Sequence, residues 1–151
     1  LELGGVRLER VDAGGPGLTE NDASLVLRVT WGRTAILLPG DLEEAGEAAA
    51  LAAGRPLRAD LVKVPHHGSR RSSTAPFARA VSPAFAVASV GAGNRYGFPH
   101  TEAVARWRAA GAAWRQTDGG ALRFVSDGDR LREVPACDAL DVLALRREGR
   151  R

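Results

Sequence analysis

Short apolar runs separated by turn-forming clusters predict a β-rich first third followed by β-α-β units. Residues 6–11 (VRLERV) alternate apolar and polar side chains, the two-residue period of a strand with one covered face. A turn-rich stretch, residues 12–22, carries three glycines and Pro16. Residues 24–30 (SLVLRVT) and 34–38 (TAILL) flank Trp31-Gly32-Arg33 and read as a hairpin, which Pro39-Gly40 ends. Residues 42–53 are rich in Ala, Leu and Glu and are followed by Gly54, where a helix C-cap belongs. Strands over 59–64, 84–90 and 112–116 alternate with helices over 74–80, opened by Pro76, and 100–110, ended by Gly111. Residues 120–125 and 130–134 form a second hairpin across Ser126-Asp127-Gly128-Asp129. A helix is expected over 138–151. No repeat, linker or second domain boundary interrupts residues 1–151.

Composition narrows the picture in three respects. With 151 residues, 44% of them hydrophobic and 26% charged, the chain suits one α/β domain and neither a disordered tail nor a coiled coil. No run approaches the roughly 20 apolar residues of a membrane span, and a lone cysteine, Cys137, excludes an internal disulfide framework and a cysteine-rich zinc site. Of the 21 basic residues only Lys63 is a lysine, and the net charge is +3. Arginine excess beside abundant alanine and glycine is partly what GC-rich coding produces, so this charge does not by itself identify a polyanion.

Candidate chemistry gathers where the strands end. Loops after successive parallel strands open on the same sheet edge. Asp41 follows the TAILL strand, His66 and His67 follow LVKV, and Asn94, Arg95, Tyr96 and His100 follow AFAVASV. If these strands are neighbours, about 4.8 Å apart, Asp41 and one of the histidines can approach a common ion. Carboxylate and imidazole suit zinc, with bonds of about 2.0–2.2 Å, and equally manganese. Plainer roles stand beside these. Asp41 and Glu44 have the spacing of a helix capping box, the paired histidines sit in a tight polar turn, and His100 covers a helix start. Arg70-Arg71 can be a solvated pair, Tyr96 a core-edge ring, and Cys137 a small buried hydrophobe.

Five segments in series carry a resemblance: NDASLVL from Asn21, LPGDLE from Leu38, LVKVPHHGS from Leu61, SVGAGNRYG from Ser89 and TDGGA from Thr117. Together they resemble the C-terminal half of the metallo-β-lactamase-like domain of the ComEC family of DNA-uptake (competence) proteins, over almost the whole chain up to about Val134. The resemblance implies half of an αββα sandwich, a mixed β-sheet flanked by helices, forming one wall of a two-metal phosphodiesterase site. It assigns Asp41 and His67 to the metals, His66, Tyr96 and His100 to the catalytic groups, and Ser69, Arg70, Asn94 and Arg95 to substrate contacts. The two divalent ions, zinc or manganese, would lower the pKa of a bridging water and stabilise charge on the phosphate. Arginines 70, 71 and 95 are the candidate phosphate clamps.

Two departures from that family matter. Phe98 stands where the family often has a histidine before the proline. The superfamily's His-x-His-x-Asp-His cluster is missing from these residues, and three histidines in all are too few to replace it. The expectation is therefore half of a hydrolase domain that by itself holds metal weakly or not at all and is inactive. Its partners would be sequence-neutral, single-stranded DNA, the missing N-terminal half of the domain, and the membrane-embedded remainder of a bacterial inner-membrane parent, this chain being soluble. An open apolar sheet face prone to self-association and a mobile stretch over 12–22 follow from the same expectation. A non-catalytic DNA-binding or assembly module and a small-molecule phosphoesterase are the alternative functions.

Overall fold

Seven strands form one mixed sheet in chain order: β1 (Glu2–Leu3), β2 (Val6–Arg10), β3 (Leu27–Trp31), β4 (Thr34–Leu38), β5 (Leu61–Lys63), β6 (Phe85–Ala88) and β7 (Ala113–Gln116). The computed structural model describes residues 1–11, 14 and 17–136. The helix expected over 138–151, Cys137 and residues 12, 13, 15 and 16 lie outside them. Strands β1 to β4 pair antiparallel and β4 to β7 pair parallel. Three helices, α1 (Glu44–Ala52), α2 (Ala75–Val81) and α3 (Thr101–Ala109), fill the three parallel crossovers. A separate antiparallel pair, β8 (Arg123–Ser126) with β9 (Leu131–Val134), completes the described residues. The fold is thus α/β with a mixed sheet, as the sequence pattern predicts. No helix among the described residues is long and apolar enough to cross a membrane.

Strand order explains the layering. Successive parallel strands are added in one direction, and crossovers are right-handed, so all three helices fall on one face of the sheet. On that face Ala35, Leu37, Val62, Ala86 and Ala88 pack with Leu42, Ala50, Phe77, Val81 and Trp107 into one core. Phe77 and Trp107 are fully buried and meet edge to face, with centroids 6.3 Å apart. Burying a side chain such as Phe77 contributes about 1.5–3 kcal/mol. The other face receives the β8–β9 hairpin. Phe124 packs on Phe85 at 5.1 Å, Thr34 Oγ1 lies 2.7 Å from Ser126 Oγ, and the Arg33 N–H donates to the Gly128 carbonyl. Among the described residues this second face is largely apolar and uncovered beyond the hairpin. Val29 and Ile36 are half-buried, and Trp31 and Leu38 are exposed.

The stretch expected to be mobile is anchored at its end. Asp22 is buried, accepts hydrogen bonds from the Glu43 and Gly46 backbone N–H groups (3.2 and 2.8 Å), and is held by the Thr19 hydroxyl at 2.7 Å. A carboxylate from 21 residues upstream therefore satisfies the first turn of α1. Helix α1 begins at Glu44, and its N-cap residue Glu43 makes no side-chain cap bond. The capping-box role considered for Asp41 is not the one it plays, which leaves its carboxylate for other partners. Desolvation pushes the Asp22 pKa up, but the bonds from Thr19, Gly46 and Glu43 outweigh it, and the net shift is below the ordinary value. A lowered pKa stabilises the fold above the ordinary carboxylate range, and that stabilisation is lost as the pH falls through the lowered value. Asp22→Ala should cost about 1–2 kcal/mol at neutral pH. Urea unfolding should show the gap to wild type narrowing in acid; a gap independent of pH would exclude the cap.

Candidate functional site

The C-terminal ends of β4, β5 and β6 converge on one rim because these three strands are parallel neighbours. After β4 the chain turns at Pro39-Gly40, with Gly40 at φ +63° and its would-be Cβ 2.9 Å from Ser24 Cβ. The Ser24 hydroxyl accepts the Asp41 N–H at 3.1 Å and fixes the carboxylate's origin. Residue 24, which the sequence pattern places in a strand, thus lies before β3 and supports the site.

The turn after β5, Pro65–Gly68, holds His66 and His67 in left-handed conformation, φ 44° and 55°. For residues with a Cβ this costs on the order of 1–3 kcal/mol each. The surroundings enforce it: the His66 N–H donates to the Gly40 carbonyl (3.3 Å), the Ser69 N–H to the His66 carbonyl (2.9 Å), and the His100 N–H to the Gly68 carbonyl (2.9 Å). Gly68 itself has φ +86°, with its would-be Cβ 2.6 Å from Pro99 Cβ.

This turn brings Asp41 and His67 together: His67 Nε2 lies 3.6 Å from Asp41 Oδ1, both groups being partly exposed. His67 Nδ1 is 2.7 Å from the Ser89 carbonyl, which can only accept, so Nδ1 carries a proton. In the neutral ring Nε2 then presents its lone pair to the carboxylate. A ring nitrogen and a carboxylate oxygen at this distance can share a proton or a cation, and the second ring nitrogen is held by the Ser89 carbonyl.

Two residues here, Lys63 and Glu43, are absent from the sequence-derived candidates, and Phe98, noted there only as a departure from the family, takes a place among the rings. Lys63 extends its ammonium to Asp41 Oδ1 (3.3 Å) and the Gly40 carbonyl (3.1 Å). Glu43, buried, lies 3.0 Å from His66 Nδ1 and 2.8 Å from an Arg71 guanidinium nitrogen. Phe98 sits among the imidazoles, with centroids 5.6 Å from His66, 6.4 Å from His67 and 5.2 Å from His100. A lysine inside the apolar run LVKV was the one visible signal. The acid at 43 and the ring at 98 acquire partners only through folding.

A cleft lined by Asp41, His66, His67, Ser89, Val90, Gly91, Asn94, Tyr96 and Phe98 opens over these groups. The remaining candidates sit around it differently. Ser69 is buried, with its hydroxyl accepting the Arg71 N–H at 3.3 Å. The His100 ring accepts the Arg70 N–H through Nδ1 (3.1 Å) at the start of α3, outside the cleft lining. Asn94 spends its amide within its own loop, donating to the Gly91 and Phe98 carbonyls and accepting the Phe98 N–H. Arg70, Arg71 and Arg95 are all exposed, Arg71 being paired with Glu43 and Arg95 with the Tyr96 hydroxyl and ring.

Among the described residues no group of three or more His, Cys, Asp or Glu side chains is placed to hold a metal ion. Asp41 and His67 bring together two groups of the types that bind metals, and the ammonium of Lys63 occupies the same carboxylate oxygen. These residues do not complete a metal site by themselves.

No family model matches the chain. Over 110 residues it is 44% identical to a protein named Competence protein ComA from Neisseria gonorrhoeae, an alignment covering 71% of this chain and 16% of that protein. It is similar to competence proteins. ComE operon protein 3 of Bacillus subtilis (strain 168) is 37% identical over 86 residues, 57% of this chain and 11% of its own length. An uncharacterized protein, YcaI of Escherichia coli (strain K12), is 35% identical over 98 residues, 64% of this chain and 13% of its own length. The chain thus spans less than a fifth of the length of each of these relatives.

Proposed function

We propose that this chain serves DNA uptake in competence, forming one wall of a phosphodiesterase site of metallo-β-lactamase type within a longer, membrane-anchored protein. Names of relatives support the process; the Asp41–His67 pair supports the chemistry. The observation that carries it is the facing of Asp41 Oδ1 and His67 Nε2 at 3.6 Å, with Nδ1 engaged by the Ser89 carbonyl. Such a part-set needs ligands from another segment, and the open apolar face of the sheet fits a covering layer that brings them. His66, braced by Glu43, lines the same cleft and is the residue we assign to the phosphate. Arg70 and Arg95 supply exposed guanidinium groups for a backbone contact that ignores sequence and weakens with salt.

The test is manganese-dependent cleavage of DNA by the full-length parent. Asp41→Ala is expected to reduce cleavage to background, while unchanged cleavage refutes the site. A second reading, a non-catalytic DNA-binding module, is favoured by Lys63, which places a fixed ammonium beside Asp41. Under that reading the parent binds single-stranded DNA in chelator as well as in manganese, and Asp41→Ala leaves both binding and background cleavage unaltered.

A further inference from the structure

We infer that Tyr96 is a stacking platform for a base of single-stranded polynucleotide at the mouth of the cleft. This deepens the reading above by naming how its substrate is held. Tyr96 is 61% exposed in a loop that Asn94 closes with three hydrogen bonds, so the fold presents a large ring to water without gaining its burial. It tops a ladder of near-parallel planes. Tyr96 stacks on Phe98 with centroids 5.7 Å apart and planes 18° apart; Phe98 stacks on His67 at 6.4 Å and 9°. The ladder therefore leads from the exposed rim to the Asp41–His67 pair.

Over the Tyr96 ring lies the Arg95 guanidinium, 4.9 Å from its centroid, with Nη2 donating to the Tyr96 hydroxyl at 2.7 Å. A planar cation on an aromatic face marks a surface that accepts flat, polarisable groups. An incoming base takes that place as the next plane, and the released guanidinium meets the adjoining phosphate. Bases in a duplex hide their faces in the stack, so the platform selects single strands. It reads no base edge and is tolerant of sequence.

The test compares end-labelled dT12 with an abasic deoxyribose-phosphate 12-mer by fluorescence anisotropy, using this 151-residue chain in chelator. Wild type is expected to bind dT12 about tenfold more tightly than the abasic strand. Tyr96→Ala should remove that difference, whereas Tyr96→Trp and Tyr96→Phe keep it. Arg95→Ala should weaken both strands alike and lower the salt dependence. Equal binding of the two strands by wild type, or a base preference that survives Tyr96→Ala, overturns the platform and leaves the phosphate reading standing. Failure of wild type to bind either strand at low salt overturns the platform too. The phosphate reading fails separately, through unchanged cleavage by Asp41→Ala in the parent.

Discussion

Glu47→Ala is expected to destabilise the chain by about 3 kcal/mol, seen as a melting temperature roughly 6–12 °C lower. Glu47 has no exposed surface, and its carboxylate accepts the backbone N–H groups of Ser73 and Thr74, the latter at 2.7 Å. Ser73 has φ +62° and Thr74 is the N-cap of α2, whose own side chain makes no cap bond. One acid on α1 thus fastens the segment joining the histidine turn to α2. Its removal leaves a buried donor at Ser73 and a partly buried one at Thr74 without this partner, and a void. Burial pushes the Glu47 pKa up, against the bonds from Thr74 and Ser73 and the charge of Arg106. The sign follows from linkage: with a raised pKa, the native state binds a proton that the unfolded state has released. The associated stabilisation is present below the ordinary value near 4.5 and is lost as the pH rises through the raised one. Glu47→Gln abolishes this titration, so the stability of wild type relative to Glu47→Gln should fall from pH 4 to pH 8 in urea titrations. A rise over that range would show that the acid is not buried as described.

Gly68→Ala should cost about 2–4 kcal/mol and displace the paired histidines. A Cβ here meets Pro99 Cβ at 2.6 Å and Pro99 Cα at 3.2 Å, and φ +86° adds strain for any residue with a side chain. The neighbour is a proline ring just before His100, which cannot swing aside as a flexible chain would. Gly97→Ala is the matched control, with φ +67° and nothing within 4 Å of the added carbon, so it carries only the conformational cost of about 1 kcal/mol. Thermal unfolding measures the difference. Histidine ring NMR shifts that move in Gly68→Ala and not in Gly97→Ala would report the displaced turn. Equal losses for the two variants would mean that Pro99 yields and the turn is not clamped.

The contrast between Asp22 and Asp41 shows what sequence spacing resolves. Asp41 and Glu44 have the local pattern of a capping box, yet the cap of α1 comes from Asp22, and Asp41 pairs with Lys63 and His67. Local spacing cannot tell these apart, because a carboxylate that reaches a helix end across the fold leaves no periodic trace.

By itself the sequence determined the elements and the rim. Alternation, glycine and proline breaks, and capping residues act over a few neighbours, so β4, α1 and the helices and strands after it fall within a few residues of the expected positions. Parallel succession then places Asp41 and the His66-His67 turn on a common edge. Tertiary structure decided which groups meet. It set Glu43 against His66, Lys63 against Asp41, and Phe98 between His67 and Tyr96. Those pairings rest on distances of a few ångströms between residues up to about thirty positions apart. The left-handed turn at His66 and His67 is likewise held by the bond from the His66 N–H to the Gly40 carbonyl and by the close fit of Gly68 against Pro99, neither of which a local pattern encodes.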